Sequence, residues 1–180
     1  MKDLWRFIKS SGIYFVGTVL TKLISFLLLP LYTSYISPAD YGTYDLYNAY
    51  IMFLCSVLFL DIWSGIMRFM YEYTGENCGF AIFTTSTILY TIIIIVAAPA
   101  LHVEYPFWLF LYGILMNTQT LVGYIARGYE KNVLYTTSGL IGSITTIVFN
   151  ILLLVQFKMD YSALFIASCI GYVVNIVIMV

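Results

Sequence analysis

The chain reads as an all-α integral membrane protein with six transmembrane helices. Three observations predict this. Apolar residues make up 62% of its 180 residues and charged residues only 9%, whereas a soluble domain keeps roughly 25% charged to cover itself in water. Apolar stretches of the ~20 residues that cross a hydrocarbon core recur about every twenty-five residues. Between them lie only short polar segments that suit tight connections.

Six spans follow in order, at about 12–36, 46–67, 80–101, 106–126, 134–157 and 161–180. The first follows Lys2, Arg6 and Lys9, which mimics a secretory leader. Its apolar run exceeds the ~7–15 residues of a leader core, and no small-residue cleavage site follows, so it reads as a helix that stays in the membrane. The third contains the unbroken run from Ile92 to Val96. Pro106 opens the fourth, where a missing N–H leaves no helical bond unmade. The chain stops inside or at the end of the sixth span, which reads as one lobe or a fragment of something longer.

Charge placement orients the bundle. Lys2, Arg6, Lys9, Arg68, Arg127 and Lys131 fall at alternate span ends and account for six of the eight basic residues. The opposite ends hold Lys158 with Asp40, Asp45, Glu104 and Asp160. Basic loops stay on the cytoplasmic side, so a cytoplasmic N-terminus is expected. Tyr32, Tyr35, Tyr41, Tyr44, Tyr47 and Tyr50 crowd the acidic end of the first two spans. Such rings form a headgroup belt; stacking on a sugar is the sharper alternative. The net charge of −1 provides no field for nucleic acid. Cys55, Cys78 and Cys169 lack metal-ligand spacing, and the single His102 sits in a loop beside Glu104, so no metal or cofactor is expected.

Few residues inside the spans could carry chemistry. Lys22 lies about 15 Å into the first helix, near mid-membrane. A charge there costs at least ~2.5–3.5 kcal/mol unless it meets a partner or a wet cavity. Ser11, Thr18, Ser25 and Thr33 fall on or near its face, with Thr21 beside it. Asp61 lies about 10 Å from the basic-side boundary of the second span, within reach of a long lysine. Lys22 therefore reads as one half of an ion pair with Asp61, as a cation facing a central cavity, or as a side chain that snorkels to the interface without a role. Asp61, Ser64, Gly65 and Arg68 form a second polar stripe. In the fourth span Gly113, Asn117, Thr120, Tyr124 and Arg127 share a face, with Thr118 and Gln119 alongside. Membrane amides bind neighbouring helices or line a cavity, so Asn117 and Gln119 are candidate substrate contacts or bundle glue, and Asn150 and Asn175 are weaker versions. Ser138 with Gly142 and Gly139 with Ser143 mark close helix packing. Pro30 removes a bond to Phe26 and predicts a kink, serving a gate or simply tolerated. No nucleotide loop, zinc motif or catalytic triad is present, so catalysis is not expected.

The order of these features resembles a known family. Ser11-Gly12 with Gly17, the run from Lys22 through Pro30 to Thr33, and the run from Ser37-Pro38 to Asp45-Leu46 resemble the start of bacterial polysaccharide flippases, the O-antigen and capsule repeat-unit transporters of the multidrug/oligosaccharidyl-lipid/polysaccharide exporter superfamily. Ile66-Met67-Arg68-Phe69 resembles the end of their second helix, and Ala126 to Lys131 followed by Tyr135 their link between helices four and five. The resemblance spans the whole chain. It implies the N-terminal six-helix lobe (1–180) of a two-lobe transporter fold, with a C-terminal lobe or a second copy needed to complete the cavity. It further implies a bacterial inner-membrane location, an undecaprenyl-diphosphate-linked oligosaccharide as anionic substrate, and polymerase machinery as a partner besides membrane lipids. Lys22 matches a cavity cation by position, and Arg68 would meet the headgroup. Two rivals stand beside it: a cation-coupled drug exporter using Asp61, and an inactive truncated fragment or scaffold.

Overall fold

The computed structural model describes residues 32–69, 73–100 and 102–180, together with Gly12, Phe15, Val19, Lys22, Leu23, Phe26, Leu29 and Pro30. Its helices are α1 (Pro38–Phe59), α2 (Ile62–Phe69), α3 (Tyr73–Ala100), α4 (Pro106–Gly128), α5 (Asn132–Ile151) and α6 (Ser162–Met179), with a π-helical turn at Leu152–Gln156 after α5. Among the described residues no strand occurs. Four helical segments are long and apolar enough to cross a bilayer, namely Gly79–Pro99, Pro106–Gly128, Asn132–Gln156 and Ser162–Met179. The bent pair α1–α2 makes a fifth candidate. The first expected span lies largely outside the described residues; its described positions from Gly12 to Tyr35 are helical.

The second expected span differs from its forecast in both start and continuity. It begins at Pro38, eight positions before the apolar run. Ser37 caps it: its Oγ accepts from the Asp40 N–H at 3.1 Å and donates to Asp40 Oδ2 at 2.7 Å. Pro38 then occupies the first helical position. The helix breaks at Leu60 and Asp61, both left-handed with φ of 45° and 56°, and resumes as α2 at an angle of 46°. The break frees the carbonyl of Leu58, because the helical donor four residues on has turned away. Buried Ser86 of α3 supplies a replacement, its hydroxyl donating to Leu58 O at 2.7 Å.

Three other helix ends reach a left-handed residue, one of them Lys158 (φ 48°) after the π-helical turn, and two share the same pair of closing hydrogen bonds. His102 (φ 52°) follows α3, with Val103 N–H bonded to Ala98 O at 3.0 Å and His102 N–H to Pro99 O. Glu130 (φ 58°) follows α4, with Lys131 N–H bonded to Ala126 O at 2.9 Å and Glu130 N–H to Arg127 O. The ends at His102 and Glu130 are the paired closure that usually recruits glycine. His102 is thus a solvent-facing helix terminator.

Lipid is as apolar as a leucine side chain, so close packing and interhelical hydrogen bonds hold such a bundle together. α6 lies inside, with half of its membrane window buried, whereas only 11% of the α3 window is. The core gathers Ile51, Cys55 and Phe59 of α1, Tyr90 of α3, Leu109 and Tyr112 of α4, and Phe165 and Cys169 of α6. Tyr90 is fully buried and donates to Leu109 O at 3.1 Å. It occupies the space that Gly113 leaves: a Cβ there would collide with the Tyr90 hydroxyl. Tyr112 donates to Asn48 Oδ1 at 2.9 Å, tying α4 to α1. The expected small-residue contact joins α5 to α6, where a Cβ on Gly142 would lie 3.0 Å from Gly171 O and one on Gly171 would strike Thr146 Oγ1. On exposed helix faces Thr84, Thr85 and Thr145 return their hydroxyl protons to carbonyls four residues back. Each of these three hydroxyls is thereby satisfied within its own helix.

Candidate functional site

Lys22 is exposed, and so are Phe15, Val19, Leu23, Phe26 and Leu29 around it. Ser11, Thr18, Thr21 and Ser25 of the expected polar stripe lie outside the described residues; Thr33 is exposed and donates to Pro30 O at 3.1 Å. Ser34 donates to the same oxygen at 2.7 Å. Pro30 is exposed and helical, and the residues that would define its kink lie outside those described.

Asp61 sits in the helix break, exposed, where it accepts from Ser64 Oγ at 2.6 Å. That bond ties the carboxylate to the first turn of α2. Among the described residues it forms no ion pair with Lys22. The depth of the break follows from its neighbours. Ser86, which touches Leu58, is about 10 Å along α3 from Gly79, where the apolar window begins. The break therefore lies in the basic-end half of the bundle. Arg68 closes α2 at that end and is exposed.

Asn117 belongs to the bundle interior. It is buried and donates to Cys55 Sγ at 3.0 Å and to Gly113 O at 2.8 Å, which joins α4 to α1. Of the two roles expected of this amide, the bond to Cys55 is the interhelical one. Gln119, two positions on, is half-buried on another face of α4. Asn150 is likewise interior and donates to the Tyr32 hydroxyl at 2.8 Å, tying the N-terminal helix to α5. The carbonyl oxygens of Asn150 and Asn175 are buried without partners among the described residues.

The tyrosines at the acidic end divide into two groups. Tyr35 and Tyr50 are exposed as a belt requires. Tyr32 stacks on Tyr41 at 6.2 Å, and Tyr44 packs on Phe165 at 4.8 Å. The loop ends there interlock: Tyr161 donates to Glu104 at 2.7 Å and Tyr105 to Asp160 at 2.9 Å, with the two rings edge to face at 5.5 Å. The hydrogen bond to Asp160 raises the Tyr105 phenol above its usual range. Burial, then the bond to Glu104, raises that of Tyr161. This crossed clasp has no period in the sequence; each carboxylate and its tyrosine lie more than fifty residues apart.

At the basic end the guanidinium of Arg127 lies 4.0 Å from the Tyr124 ring centre and 4.7 Å from that of Tyr135. The two described cavities are apolar and lie elsewhere. The one of about 310 Å³ between α1, α3 and α4 is lined by Ile51, Ile94, Ala98 and Leu109 among others, and neither contains Lys22, Asp61, Arg68 or Asn117.

No protein-family model, curated protein or solved structure matches this chain. What the residues offer is an exposed mid-helix ammonium, a carboxylate at a broken helix, a basic rim and an acidic clasp. Several long apolar helices are consistent with a membrane protein.

Proposed function

We propose that the chain is the N-terminal lobe of a flippase that carries an undecaprenyl-diphosphate-linked oligosaccharide across a bacterial cytoplasmic membrane by alternating access. The observation that carries this reading is Lys22, a cation on an apolar helix with no carboxylate paired to it among the described residues. An ammonium facing hydrocarbon costs at least ~2.5–3.5 kcal/mol. A wet path and an anionic diphosphate offset that cost, and their attraction grows as the dielectric falls. The family resemblance supplies the substrate class, the six-span lobe and the second lobe that would cover the Lys22 face. The basic rim with Arg68 faces the cytoplasm in this reading. In the full-length transporter, Lys22→Ala abolishes complementation of surface polysaccharide at normal membrane abundance, while Lys22→Arg largely keeps it. Normal complementation by the Ala variant would remove the role of Lys22.

One observation favours cation-coupled export instead. The carboxylate of Asp61 stands at a helix break, and broken membrane helices often hold coupling ions. Asp61→Asn would then abolish sodium- or proton-driven efflux of cationic dyes by the full-length protein. Unchanged efflux, or none in the parent, rejects this alternative.

A further inference from the structure

We infer that Arg127 anchors a binding site for the phosphate of an anionic lipid headgroup at the basic end of α4. The inference stands apart from the transport reading, since it uses neither Lys22 nor Asp61. The side chain is held before any ligand arrives. Its guanidinium lies over the rings of both Tyr124 and Tyr135, and its Nε donates to Gly123 O at 3.3 Å. Buried Gly123 makes room for the second ring: a Cβ there would lie 2.9 Å from Tyr135 Cε2. These contacts leave the two Nη groups without an acceptor among the described residues.

Charge balance points to an anion. Arg127 is half-buried, and Lys131 stands exposed one turn further along the chain. The nearest carboxylate in sequence, Glu130, is turned outward on its left-handed residue and pairs with neither. Two aromatic faces compensate a guanidinium only in part. A phosphate accepts its two parallel N–H groups in the fork geometry that suits arginine.

Position selects a lipid as the source of that phosphate. α4 has 23 residues, so it is about 35 Å long. With Pro106 at one boundary of a ~30 Å hydrocarbon core, Arg127 reaches the opposite headgroup layer, where tyrosine rings are favoured.

The test uses the full chain in phosphatidylcholine micelles, titrated with dioleoylphosphatidylglycerol and, separately, with inorganic phosphate. Bound lipid is counted by native mass spectrometry. Phosphatidylglycerol is expected to bind in preference to phosphatidylcholine, with Arg127→Gln and Lys131→Gln each weakening it roughly fivefold. Arg127→Lys keeps the charge and loses the fork, so it too is expected to bind more weakly than the parent. Should Arg127→Gln fail to fold, Lys131→Gln, which removes an exposed side chain, carries the reading. Equal binding of the two lipids by the parent overturns the site, as does unchanged binding by the variants that fold. Displacement of phosphatidylglycerol by millimolar inorganic phosphate overturns its assignment to a lipid.

Discussion

At the residue scale, the core depends on glycines that leave space for neighbouring side chains. Gly113 is filled by Tyr90, so Gly113→Val forces the ring from its pocket and is expected to cost about 1–3 kcal/mol. Thermal unfolding in detergent checks this, and combining it with Tyr90→Ala should recover part of the loss, since the two substitutions share one space. Left-handed closures lead to the opposite kind of change. A non-glycine residue in that conformation costs about 1–2 kcal/mol, so His102→Gly is expected to raise the melting temperature. That gain fails if His102 has a role beyond ending α3. Asn117 and Cys55 show how far a sequence goes at this scale. An amide within an apolar span announces a polar contact. Whether it meets a ligand or another helix depends on which way α4 is rotated, and here its face meets α1.

At the element scale, two features separate the helices from a plain hydropathy reading. Polar first turns such as Ser37-Pro38-Ala39-Asp40 extend helices beyond the apolar run, because a capped turn is stable in the headgroup layer. Those capping residues are visible in the sequence. The break at Leu60–Asp61 is less so, since neither proline nor glycine marks it. Its compensation comes from Ser86 on another helix. Ser86→Ala leaves the Leu58 carbonyl buried without a donor and is expected to cost about 1–3 kcal/mol, read as a lowered melting temperature in detergent. If stability is unchanged, water or lipid satisfies that carbonyl and the break needs no support from α3.

At the scale of the whole molecule, the two ends of the bundle differ in chemistry. The acidic end is clasped by Tyr161–Glu104 and Tyr105–Asp160. Both phenols titrate above their ordinary value near 10 in the folded state, so the fold retains protons that the unfolded chain releases. The stability they contribute is fully present below pH 10 and is lost as pH rises through the raised values. Tyr161→Phe should flatten the alkaline arm of a melting-temperature profile measured from pH 8 upward, and an unaltered profile would assign that arm to other groups. The basic end, with Arg68, Arg127 and Lys131, is expected to face the cytoplasm. In sealed right-side-out vesicles with the native cysteines replaced, Lys158→Cys should react with an impermeant maleimide, while Lys131→Cys should react only after the vesicles are opened. The reverse pattern inverts the topology.

Composition and the recurrence of apolar runs are enough to assign an all-helical, bilayer-compatible chain, because hydrocarbon leaves helices and closed barrels as the only ways to satisfy a crossing backbone. The alternation of basic and acidic span ends is equally local and could be read residue by residue. Tertiary contact alone decided that Asn117 turns inward onto Cys55, that Ser86 meets the Leu58 carbonyl beside the helix break, and that Tyr135 of α5 meets Arg127. The reason is geometric. Periodicity places residues on faces of one helix, but the partner of a polar group is chosen by rotations and crossings between helices far apart in the chain.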